Sequence, residues 1–196
     1  MKNKLILLIV FIVVALIQLY IPASMMLSSE AIIGKGTEYK FRVAPIDPND
    51  PFRGKYVTLS FAANIYYDLD SLFYRNQEVF VVLGLDDEGF VRIDDVASEQ
   101  PFDSNNYVKA KVNSIYKDYG DEGRYVVRID YPFNRFYMEE SKAPEAESLY
   151  WEAARDTNQV AYALVRVKEG EAVLLDVLIN DISLKDLTGE DIEIEE

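Results

Sequence analysis

The apolar positions of this chain follow two patterns, and the change between them divides it. Leu5 to Leu27 is an almost unbroken apolar run, interrupted only by Gln18, Pro22 and Ser24. At about 1.5 Å per helical residue, such a run crosses a hydrocarbon core roughly 30 Å thick with slack for tilt. From Thr37 onward the apolar residues alternate with polar ones, the period of a half-buried β-strand. Thr37 to Val43 reads as a first strand. In the next one, Val57, Leu59, Phe61, Ala63 and Ile65 share one face, with Tyr56, Thr58, Ser60, Ala62 and Asn64 on the other. Tyr66 to Gln77 is polar and aromatic and reads as a loop or short helix. Three hairpins follow: Glu78–Leu85 with Phe90–Val96, Tyr107–Tyr116 with Arg124–Tyr131, and Gln159–Val167 with Ala172–Ile179. Ala143 to Arg155 breaks the alternation. There Ala143, Ala146, Leu149, Tyr150, Ala153 and Ala154 recur at helical spacing, with Ser141 as a candidate cap and Pro144 in the first turn.

These elements predict an α+β protein: an N-terminal transmembrane helix, then a mainly antiparallel β domain of about eight strands with one helix, curled into a partial barrel. Residues 1–27 are expected to be a cytoplasmic N-terminus and anchor, 28–36 a polar linker, 37–185 the β-rich domain and 186–196 an acidic tail. Lys2 and Lys4 flank the apolar run, so the positive-inside bias leaves the N-terminus cytoplasmic and the domain outside the plasma (inner) membrane. The rival reading is a cleaved signal peptide, for which Ser29-Glu30-Ala31 offers a small-x-small site. The apolar run is longer than a typical signal core of roughly 7–15 residues, which favours the uncleaved anchor.

The stretch Ala44 to Phe61 reads A-P-I-D-P-N-D-P-F-R-G-K-Y-V-T-L-S-F. Pro45, Pro48 and Pro51 fall on every third residue, the period of an extended polyproline-type segment. Gly54 suits a turn, and the alternating strand starts at Tyr56. These residues resemble the GDYXXLXY family, membrane-anchored bacterial proteins named for an eight-residue motif and without an assigned activity. Gly54, Tyr56 and Leu59 match the motif, whereas Lys55 stands in place of its aspartate and Phe61 in place of its final tyrosine. The lead-in Pro45-Ile46-Asp47-Pro48 and Phe52-Arg53 also fits, as do Phe136-Tyr137-Met138-Glu139-Glu140 and Val165-Arg166-Val167-Lys168-Glu169-Gly170. The resemblance implies a shared membrane helix and a multi-pass membrane protein as partner. Pro45, Asp47, Pro48, Arg53, Gly54, Tyr56, Leu59 and Phe61 are then expected to be structural, with Leu59 and Phe61 in the core and the Tyr56 ring under the proline segment.

Composition removes most chemistry. The net charge of −14 excludes a general nucleic-acid binder, which needs a basic face. The chain has no histidine and no cysteine, so histidine triads, thiolate nucleophiles and the usual zinc sites are absent, and no cofactor is expected. Lys55 and Ser60 invite comparison with a serine–lysine pair. They lie about 16 Å apart in an extended strand and on opposite faces, so they cannot meet within it. Asp86, Asp87 and Glu88 lack calcium-loop spacing and read as an exposed turn, so no metal is expected. Glu139, Glu140, Glu145 and Glu147 are the carboxylates that a cell-envelope hydrolase would need, although solvation and helix-dipole complementation explain them without chemistry, and that reading is favoured. Tyr131, Phe133, Phe136 and Tyr137 place four rings in seven residues, either a core edge or a flat platform for a partner. Together these features favour a non-enzymatic, membrane-tethered binding domain; the alternative is the hydrolase.

Overall fold

The computed structural model describes residues 2–44, 56–69, 73–102, 106–118, 123–156 and 158–188. Helix α1 (Lys2–Lys35) comes first. Its 34 residues make about 50 Å of continuous helix. The helix passes through Pro22 and through most of the expected linker, 28–36, so the polar link is helical up to Lys35. Its end is tied to the domain that follows. Ile32 is buried, the Arg166 guanidinium donates to the Ile33 carbonyl and pairs with Glu38 at 3.3 Å, and the Gly36 amide caps the Ile32 carbonyl at 2.7 Å. A Cβ at Gly36 would lie 2.5 Å from the Ile32 carbonyl oxygen, so this exit needs glycine.

The strands follow: β1 (Thr37–Arg42), β2 (Tyr56–Thr58), β3 (Ile65–Asp68), β4 (Glu78–Leu85), β5 (Val91–Ala97), β6 (Tyr107–Lys117), β7 (Tyr125–Asp130) and β8 (Arg135–Tyr137). Then come α2 (Ala143–Arg155), β9 (Ala161–Lys168), β10 (Glu171–Ile179), β11 (Ile182–Ser183) and the one-turn α3 (Leu184–Leu187). The five-stranded sheet has the order β3-β7-β6-β4-β5, with every pair antiparallel. Bulges between Val82 and Leu83 and between Val112 and Ser114 increase its twist. The sheet curls until its two edges approach, and the Tyr66 hydroxyl on β3 donates to Asp95 on β5 at 3.0 Å. This is the nearly closed partial barrel that the alternation predicts. A second sheet, β1-β9-β10-β11, packs against it, and β2 pairs with β8 alone.

All three expected hairpins and α2 form. The β9–β10 turn is tight because Glu169 (φ 53°) and Gly170 (φ 83°) both adopt left-handed conformations, the geometry that matches strand twist. Gly170 is also required sterically, since a Cβ there would lie 2.5 Å from the Tyr107 ring.

Four expectations need correction. The strand expected from Tyr56 to Ile65 is split into β2 and β3, with an isolated bridge from Phe61 to Val43 and a turn between them. Tyr66 to Asp68 belongs to β3 rather than to a loop or helix. Ser141 does not cap α2; Lys142 holds that position with no side-chain hydrogen bond. There are eleven strands among the described residues, and α3 is a second helix outside α1.

Candidate functional site

The core is centred on four aromatic rings from three separate segments. Phe41, Phe61, Tyr131 and Phe133 meet with centroids 5.0 to 5.9 Å apart, mostly edge to face. Val57, Leu59 and Phe61 are buried, as their common face predicts. Burial pushes the Tyr131 hydroxyl far up, and that hydroxyl donates to the Ala63 carbonyl at 2.7 Å.

This cluster holds the two ends of the proline-rich stretch together. The Ala44 amide donates to the Ser60 carbonyl at 2.9 Å, and Ala62 returns a bond to Arg42 at 2.9 Å. The fully buried Tyr150 of α2 reaches into the same place. Its hydroxyl accepts from the Ser60 amide at 3.1 Å and shares its proton between the carbonyls of Ala44 (3.2 Å) and Ser60 (3.4 Å). Burial raises its pKa to about 12. Ala44, just before the proline-rich stretch, and Ser60, shortly after it, are therefore held together in one clamped base. Pro45, Asp47, Pro48, Arg53 and Gly54 lie outside the described residues, as does Lys55 of the serine–lysine comparison.

The surface beside this base carries the exposed chemistry. Tyr56 pairs across β2–β8 with Tyr137, ring centroids 5.6 Å apart, and the Arg135 guanidinium lies 4.9 Å over the Tyr56 ring. The Tyr137 hydroxyl beside Arg135 raises the guanidinium's already high pKa. Tyr137 is 63% exposed. Tyr56 thus packs on β8 residues, a partnership that alternation alone did not indicate. The expected row of four rings divides here: Tyr131, Phe133 and Phe136 are buried, and only Tyr137 faces solvent. Alternation along a strand sends neighbours to opposite faces, and the turn at Pro132–Phe133 adds a third inward ring.

The acidic candidates are placed less suggestively. Glu139, Glu140 and Glu145 are exposed around the start of α2, and Glu147 is half-buried. A cleft of about 290 Å³ beside Glu139 is lined by Met138, Lys142 and Lys185, so the charged groups facing Glu139 are lysines. In the turn after β4, Asp86 accepts from the amides of Glu88 (3.0 Å) and Phe90 (2.8 Å), while Glu88 pairs with Arg42 at 2.8 Å. Those carboxylates fasten the turn. A larger cleft, about 580 Å³, lies over β4 and β6 and includes Phe80, Glu78, Lys109, Lys111, Glu171 and Pro132. Sequence reading missed it because it joins hairpins distant in the chain: the Lys109 ammonium reaches Glu171 at 2.7 Å.

The fold and site define a class: a long N-terminal apolar helix compatible with membrane anchoring, joined to a curled antiparallel domain with a clamped proline-rich stretch. The pattern of the GDYXXLXY protein family matches residues 18–177, and the chain belongs to that family, whose function is unassigned. No curated protein and no solved structure matches it.

Proposed function

We propose that this protein is a single-pass, membrane-anchored extracytoplasmic domain that binds a membrane or envelope partner and catalyses no reaction. The observation that carries this reading is the patch at the clamped base formed by exposed Tyr137 and Arg135 around half-buried Tyr56. It is an aromatic and cationic surface of the kind enriched at interfaces. Apolar side chains along α1, such as Leu7, Phe11, Leu16 and Leu19, are exposed and call for an apolar medium. Lys2 and Lys4 favour a cytoplasmic N-terminus in the inner membrane, and a multi-pass protein is a partner that a membrane-tethered domain can meet.

Two experiments test this reading. Protease added to intact spheroplasts is expected to remove the domain; full protection refutes the orientation. Purification from detergent-solubilised membranes is expected to retain a multi-pass protein with the wild type and lose it with Tyr137→Ala, while that variant unfolds like wild type. Equal retention by Tyr137→Ala refutes the patch.

A further inference from the structure

Gln18 sits within the apolar part of α1, and its side-chain amide has no hydrogen-bond partner among the described residues. Four residues later comes Pro22, which has no N–H to give to the Gln18 carbonyl, the acceptor that a helix normally pairs with that position. Two polar groups of one residue are thus left open at membrane depth, where water cannot satisfy them. The nearby hydroxyl does not help, because Ser24 donates to the Ile21 carbonyl at 2.8 Å. Ala15, Gln18, Pro22 and Met25 recur at steps of three and four and share one face of α1. Ala15 is small enough to let another helix approach closely.

The same steps continue to half-buried Ser29 and buried Ile32, where α1 meets the domain. The domain therefore overhangs the face that carries Gln18, and this argues against a second copy of the chain. Two parallel copies packed on this face at the usual 8–10 Å or so would each bring a domain into the same space. A helix that ends at the bilayer surface meets no such obstacle.

We propose that the Ala15–Gln18–Pro22 face of α1 docks one transmembrane helix of a different membrane protein. That helix supplies a hydrogen-bond donor to the Gln18 carbonyl and a hydroxyl or amide to its side chain. The inference rests on the reading that α1 crosses a membrane, and it adds the residue and the kind of partner.

The test uses the full-length protein in the membranes of its own cells, with a photo-crosslinking residue placed at Phe11 or Met25 on this face and at Val13 or Tyr20 on the opposite one. The expected result is an adduct from Phe11 and Met25 only, whose crosslinked peptide, sequenced by mass spectrometry, belongs to an apolar segment of another protein. Gln18→Leu is expected to weaken that adduct about three- to tenfold, and Pro22→Ala, which restores the missing N–H, to weaken it less. A crosslinked peptide from this same chain, equal adducts from both faces, lipid adducts alone, or no effect of Gln18→Leu overturns the proposal. Alkaline carbonate extraction separates the two readings. If it releases the wild-type protein, the membrane reading has failed; if the protein stays in the membrane and the crosslinks are absent, only the docking site has failed.

Discussion

Two stretches of this chain carry the same alternating pattern and end in different structures. From Ala161 to Ile179 the pattern becomes β9 and β10, which stay paired from the Lys168–Glu171 turn to the Ala161–Ile179 end with one bulge. From Tyr56 to Asp68 it becomes three short pairings with three partners: β8, then Val43, then β7. The difference lies in what closes each one. A two-residue turn aligns β10 with β9 locally, so register follows from sequence. The turn within Tyr56–Asp68 does not pair its two halves with each other; distant groups intercept its backbone, with Asn134 accepting from Leu59 at 2.9 Å and Tyr150 from Ser60 at 3.1 Å. Alternation therefore reports which face is buried and leaves the partner open.

That contrast can be attacked by mutation, with unfolding of the full chain in detergent followed through the single tryptophan, Trp151. Leu59→Ala empties a core site on the partner-switching stretch and is expected to cost about 2–5 kcal/mol. A loss below about 1 kcal/mol would show that Leu59 is not part of the common core. Gly170→Ala attacks the locally determined hairpin, with its φ of 83° and the Tyr107 ring 2.5 Å from the new Cβ. It is expected to cost on the order of 1–3 kcal/mol, and neutrality would mean that the turn relaxes freely.

Tyr150→Phe removes only the hydroxyl that holds Ser60 and Ala44, and about 1–3 kcal/mol of destabilisation is expected from the buried groups left unpaired. This variant also has a pH signature. Burial raises the folded-state pKa of Tyr150 to about 12, above the ordinary 10.0 of a free tyrosine. Its contribution is fully present below pH 10, where both states are protonated, and is lost as pH rises from about 10 through about 12, because the unfolded state ionises first. Wild-type stability is expected to fall across that window, and Tyr150→Phe to flatten part of the fall; an unchanged slope counts against the clamp. The smallest effect is expected at the exposed Tyr137, where Tyr137→Ala shifts stability by no more than about 0.5 kcal/mol. A larger loss would make this ring part of the fold rather than of a surface.

Some of what the sequence reading missed carried a legible signal. Asn180 and Asp181 both adopt left-handed conformations (φ 51° and 66°) in the two-residue turn that adds β11 to β10, and an Asn-Asp pair after an apolar run marks such a turn. Other features left no local trace. The Tyr56–Tyr137 pair joins segments far apart in the chain, and nothing near Tyr66 indicates that it reaches Asp95 across the barrel seam.

By itself, the sequence determined the features set by near neighbours. A long apolar run makes an uninterrupted helix, tight turns set hairpin register, and three- and four-residue spacing gives α2 its buried face of Ala143, Ala146, Tyr150 and Ala153. Only the tertiary structure decided which rings of the Tyr131–Tyr137 row are core, where the proline-rich stretch is clamped, and that α1 runs into the domain without a flexible link. Those outcomes depend on contacts between residues distant in the chain, such as Ser60 with Tyr150 and Ile33 with Arg166. Local periodicity carries no information about such pairs, because the same alternating strand can meet any surface that covers its apolar face.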